Sequence, residues 1–166
     1  MNRSRKLAIT LALAAGVGAP LGVASSAQAV GTVTKDGCHL TVDKPAFTNH
    51  WTAGGLKQAD YVYHLTCDPS LAGVSVEITH ERWESDLAGA AGDPDALDEF
   101  TGTSTQNKSF PAAGATKDIT VRAALPVTDD TDGDEEVYQK VRFRVTNQIQ
   151  GGWSAWNLSQ AQSIQN

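Results

Sequence analysis

Residues 137–145 read Val-Tyr-Gln-Lys-Val-Arg-Phe-Arg-Val. Val141, Phe143 and Val145 share one parity, while Lys140, Arg142 and Arg144 share the other. Alternation with a period of two puts these residues on opposite faces only when the backbone is extended. The segment therefore predicts a strand with one face on a core and one toward water, the habit of antiparallel sheets.

The same rhythm recurs upstream. Cys38, Leu40 and Val42 alternate with His39, Thr41 and Asp43, and Tyr61, Tyr63, Leu65 and Cys67 alternate with Val62, His64 and Thr66. Val74, Val76 and Ile78 form a third such set, and Ile119, Val121 and Ala123 a fourth. Residues 32–35 and 155–164 read as edge strands. The long stretch 85–117, rich in Gly, Ala, Asp and Thr, reads as a connection with one short strand near 101–110. No sustained helical period accompanies these runs. About seven strands joined by turn-rich loops predict an all-β, antiparallel sandwich.

The N-terminus carries a different signal. Arg3, Arg5 and Lys6 lead into an apolar run broken by Gly16, Gly18, Pro20 and Gly22, which closes on Ala27-Gln28-Ala29. A basic start, a short apolar run and an A-x-A site predict a cleaved signal peptide over residues 1–29. The remaining residues 30–166 then form one secreted, extracellular domain, and no later run is long and apolar enough to hold it in a membrane. Removing three basic residues takes the net charge from −6 to −9. That sign disfavours phosphate backbones and anionic lipid surfaces, so neither nucleic acid nor membrane is expected as a partner.

Cys38 and Cys67 are the two cysteines of the chain. In an oxidising compartment an even count predicts one disulfide. Parity points both sulfurs into the core, so the bridge is expected to be buried, between sheets or between neighbouring strands.

From Val141 the chain continues Val-Arg-Phe-Arg-Val-Thr-Asn and then Gly151-Gly152-Trp153-Ser154-Ala155-Trp156-Asn157. Residues 141–157 resemble the last two strands of a fibronectin type III domain with a W-S-x-W box. The resemblance implies an immunoglobulin- or fibronectin III-like sandwich in which Arg142 and Arg144 stack against Trp153 and Trp156. It departs from the family at Val141, where a tyrosine is usual, and at Asn157, which replaces the final serine of the box.

Chemistry is sparse. The sequence holds no G-x-S-x-G, H-E-x-x-H, phosphate-cradling glycine loop or C-x-x-C. His39 and His64 lie opposite the cysteines on their strands and, if those strands pair, are candidate metal ligands. Segments 81–99 and 129–136 hold 13 of the 19 acidic residues, which marks them as the places for cation binding or acid catalysis. In the second, Asp130, Asp132 and Asp134 are candidate calcium ligands, although Glu135 stands where an EF-hand has glycine. Trp51, Trp83, Trp153 and Trp156 are candidates for a sugar platform or for the core. Asn107-Lys108-Ser109 and Asn157-Leu158-Ser159 fit the glycosylation sequon, against which a bacterial-type export signal argues. The sequence thus reads as a non-catalytic extracellular module with a protein or glycan ligand and no required cofactor. The alternative is a small extracellular hydrolase with a site in the acidic segment 81–99.

Overall fold

The computed structural model describes residues 31–85, 98–112, 114–125, 134–147 and 151–165. Among these described residues ten strands appear in chain order: β1 (Val33–Lys35), β2 (Cys38–Val42), β3 (Ala46–Trp51), β4 (Lys57–Cys67), β5 (Val74–Glu84), β6 (Glu99–Phe110), β7 (Thr116–Ala124), β8 (Asp134–Val145), β9 (Asn157–Leu158) and β10 (Gln162–Gln165). They form two antiparallel sheets.

β4 is the axis of the first sheet. β7 pairs along one of its edges from Gln58 to Thr66. β2 pairs with Tyr63–Cys67 and β3 with Lys57–Asp60, both on the opposite edge. β2 and β3 are therefore one broken strand, interrupted where Pro45 removes a ladder donor. β8 is the axis of the second sheet: β5 pairs on one side, with β6 beyond it, and β9 and β10 follow one another on the other side.

Alternation drives this layering. Along β2, β4 and β5 every second side chain is buried, and the buried sets of the two sheets meet face to face. Leu40, Val42, Tyr63, Leu65, Val76, Ile78, Val141, Phe143 and Val145 are all closed to solvent in one core cluster. A smaller cluster of Ala59, Tyr61, Leu125, Val137 and Ile164 lies beside it.

β1 and β2 form a two-residue hairpin through Asp36 (φ 49°) and Gly37 (φ 72°), the positive-φ pair that a right-twisted hairpin requires. A Cβ on Gly37 would stand 2.7 Å from a Leu71 methyl, so glycine is required twice over.

Cys38 and Cys67 are direct register partners on β2 and β4, with Cα atoms 4.0 Å apart, and they form a disulfide. The bridge thus joins neighbouring strands within one sheet. Both sulfurs face the core, as parity requires.

Two elements differ from the sequence reading. β6 is a full strand from Glu99 to Phe110, where a loop with one short strand was expected. Its Thr, Ser, Asn, Gln and Lys residues carry no apolar alternation because it is an edge strand with little core beneath it. β3, Ala-Phe-Thr-Asn-His-Trp, was not expected at all. It is exposed along most of its length, and its register shifts between Phe47 and His50, where Asn49 takes φ 61°. That bulge breaks the period of two.

Candidate functional site

The β3 edge carries the most exposed large aromatic side chain of the described residues. Trp51 is 51% exposed, and Leu56, on the turn toward β4, is 41% exposed. Phe47 meets Trp51 edge-on, with ring centroids 5.8 Å apart. Lys57, the register partner of Trp51, reaches back so that Nζ stands 5.5 Å from the Phe47 ring and 5.7 Å from the Trp51 ring. Beside this cluster the edges of β3 and β10 leave a groove of about 660 Å³ lined by Pro45, Ala46, Phe47, Lys57, Gln162, Ser163 and Ile164. Apolar surface, a cation and polar edge groups thus converge where the two sheets part. Sequence could not separate Trp51 from the other three tryptophans, because only the exposure of β3 does so.

The outer face of the second sheet gathers the other three. The Arg142 guanidinium lies 4.3 Å from the Trp156 ring and 4.6 Å from the Trp153 ring, and that of Arg144 lies 4.8 Å from Trp153. The order along the sheet is Trp156, Arg142, Trp153, Arg144, closed by an ion pair of Arg144 with Glu77 at 2.6 Å. All four ladder side chains are half-buried, so stacking occupies much of their surface. Farther along, Lys140 sits 4.2 Å above Trp83, which also packs on Tyr138 and Phe100.

Two serines hold the box against β8. The Ser154 amide donates to the Phe143 carbonyl at 2.7 Å, and the Phe143 amide donates to Ser154 Oγ at 3.0 Å. Ser159 repeats this on Gln139, at 2.9 and 3.0 Å. Each hydroxyl replaces a ladder carbonyl at four-residue intervals along β8. Asn157 is buried and donates to the Gly31 and Leu40 carbonyls, so its sequon is consumed structurally; Asn107 is exposed.

On the outer face of the first sheet, the two histidines go to separate partners. His39 contacts Thr34 through Nδ1 at 2.9 Å and Asp68 through Nε2 at 3.1 Å. His64 lies between Asp118, 2.8 Å from Nδ1, and Asp43, 2.9 Å from Nε2. No group of three or more His, Cys, Asp or Glu suited to a metal occurs among the described residues, so the structure does not bring the two histidines into a shared metal site. The hydrogen bond to Asp118, then that to Asp43, raises the His64 pKa above its ordinary value.

The acids of the candidate catalytic segment 81–99 are dispersed where they are described. Glu81 accepts from the Trp83 indole at 3.2 Å, Asp98 accepts from the Tyr138 hydroxyl at 2.7 Å, and Glu84 is buried. Elsewhere, the Arg122 guanidinium clasps Asp60 at 2.6 and 2.8 Å and holds its carboxyl below the usual range. Of the candidate calcium ligands, Asp130 and Asp132 lie outside the described residues, as does the side chain of Asp134, whose backbone opens β8.

One polar group sits on the core face of β8 between Val137 and Val141. Gln139 is fully buried and donates across the sandwich to the carbonyls of Asp43 (2.8 Å) and Val62 (3.0 Å) in the first sheet. His80, also fully buried, lies 5.6 Å from the Tyr61 and Tyr63 rings and 3.3 Å from Ser104 Oγ. Burial, helped by nearby Arg82, pushes its pKa down to about 3. Gln139 shares the parity of Val141 and Phe143, and His80 that of Val76 and Ile78, but the sequence reading assigned neither to the core, and only the structure supplies their partners.

No family model matches the chain. No curated protein matches it. Among solved structures it is similar to the sporulation control protein Spo0M from Bacillus subtilis, at 12% identity with a TM-score of 0.37, over 74% of this chain and 50% of that one. The chain thus spans about half the length of that protein.

Proposed function

We propose that this chain is an exported, non-catalytic sandwich of the fibronectin type III kind that binds an extracellular protein or glycan at its β3 edge. The observation that carries the reading is Trp51, half exposed beside Phe47 and Lys57, two of the residues that line the β3–β10 groove. An exposed aromatic side chain bordered by polar groups holds apolar surface in water at an unfavourable hydration free energy, which a ligand that covers it relieves.

Strand order supports the fold part of the proposal. With the short β1 set aside and β2/β3 and β9/β10 each counted as one strand, the seven remaining strands divide into first, second and fifth against third, fourth, sixth and seventh. This is the constant-type immunoglobulin order with its fourth strand moved to the other sheet. The Arg–Trp ladder lies where the W-S-x-W resemblance implies it. Export rests on the A-x-A site and accords with a bridge between the two cysteines.

Capture on the secreted protein from cell-wall material and culture supernatant tests the binding reading. The expected result is a saturable ligand; absence of any saturable ligand in both fractions contradicts it. Intact mass of the secreted form tests export, with a chain beginning at Val30 expected and one beginning at Met1 against it.

A further inference from the structure

We propose that Asp43, His64 and Asp118 form a proton-operated clamp that fixes the corner between β2 and β3, and with it the position of the Trp51 edge. The imidazole of His64 lies within 2.9 Å of a carboxylate at each nitrogen. An ionised carboxylate only accepts hydrogen bonds, so both contacts form together only when both ring nitrogens carry protons. Three elements are pinned at once: the end of β2 through Asp43, β4 through His64 and β7 through Asp118.

Asp43 is the consequential partner, because the chain leaves β2 there. Its amide donates to the Val62 carbonyl at 2.9 Å, and its own carbonyl accepts from Gln139 at 2.8 Å. The backbone is therefore held from inside the sandwich, while the side chain is held from outside by His64 alone among the bonds described for it. Lys44 and Pro45 follow, and β3 begins at Ala46.

The charged groups facing His64 are Asp43 and Asp118, with Thr41 its register partner on β2. Asp60 and Arg122 lie two repeats of the pleat farther along β4 and β7 and are closed on each other. His39 is engaged with Asp68. With carboxylates on both sides, the folded state binds the His64 proton more tightly than the unfolded chain does. The clamp is closed below about pH 6.5 and opens as pH rises through the raised folded value. Its effect on ligand binding rests on the β3 edge being the ligand surface; the clamp itself does not.

NMR titration of the secreted protein between about pH 5 and pH 9 tests it without any ligand. His50 is a second imidazole on β3, next to Trp51, so the measurement is made with His50→Gln present. The expected result is a His64 midpoint above 6.5, the Ala46 and Phe47 amides shifting with that same midpoint, and loss of the shift in His64→Gln. Asp118→Asn, which keeps the shape of the site, lowers the midpoint. A His64 midpoint at or below 6.5, or Ala46 and Phe47 amides that do not follow it, overturns the proposal. Neither result depends on whether Trp51 contacts a ligand.

Discussion

Gln139 of β8 spans the sandwich to Asp43 at the end of β2, its amide donating to the Asp43 carbonyl at 2.8 Å from a fully buried position. The two sheets are thus held by a directed bond in the layer between the two apolar clusters, where slippage would otherwise cost only contact area.

Removal of that bond is predicted to be expensive. Gln139→Ala leaves the Asp43 carbonyl without its donor and opens a cavity, which together should cost about 2–4 kcal/mol of unfolding free energy. Denaturant unfolding measures it, and a loss below about 0.5 kcal/mol contradicts the cross-sheet role.

His80 predicts an acid limb opposite in sense to the His64 clamp. Its folded pKa lies near 3, below the ordinary value of 6.5, so the unfolded chain binds the proton more tightly. Its contribution is present in full above about pH 6.5 and declines, at up to about 1.4 kcal/mol per pH unit, as pH falls toward 3. His80→Gln should flatten the stability curve across that window relative to the parent; parallel curves would show that burial does not hold His80 neutral.

The Arg–Trp ladder predicts coupling. Trp153→Ala loses two guanidinium contacts and the cover they give, costing about 1–3 kcal/mol. Arg142→Ala should cost less, and less again when Trp153 is absent. A double-mutant cycle reads the coupling, and additivity within about 0.3 kcal/mol contradicts stacking.

The disulfide closes a separation of 29 residues, and its loss should reduce stability by about 3–4 kcal/mol on chain-entropy grounds. Comparison of the parent with Cys38→Ala/Cys67→Ala by denaturant unfolding checks it. No alkylation is expected before reduction.

What was legible in the sequence was whatever burial imprints as alternation. β8, β2, β4, β5 and β7 each press one face on the core, so the pattern showed them, and parity placed Arg142 and Arg144 on one face and both sulfurs on another. β6 and β3 were obscure for a common reason. Edge strands bury little, and polar residues along β6 or a bulge at Asn49 erase the period that betrays a strand. The ligand-facing candidate sits on the less legible of the two. Trp51 differs from Trp83, Trp153 and Trp156 in how closely it is covered: Lys140, Arg142 and Arg144 stand 4.2–4.8 Å from the other rings, whereas Lys57 stands 5.7 Å from Trp51 and leaves it 51% exposed.

We propose that the β3 edge, and not the tryptophan box, meets the ligand. The binding isotherm of the protein on the captured ligand, compared among the parent, Trp51→Ala and Trp156→Ala with melting temperatures recorded alongside, tests this. Loss of an exposed aromatic contact at the centre of a site should weaken affinity by about tenfold or more, the counterpart of roughly 1.4 kcal/mol. That loss is expected for Trp51→Ala with an unchanged melting temperature, and for Trp156→Ala a lowered melting temperature with affinity retained. Unchanged affinity in Trp51→Ala, or a loss confined to Trp156→Ala, would contradict it.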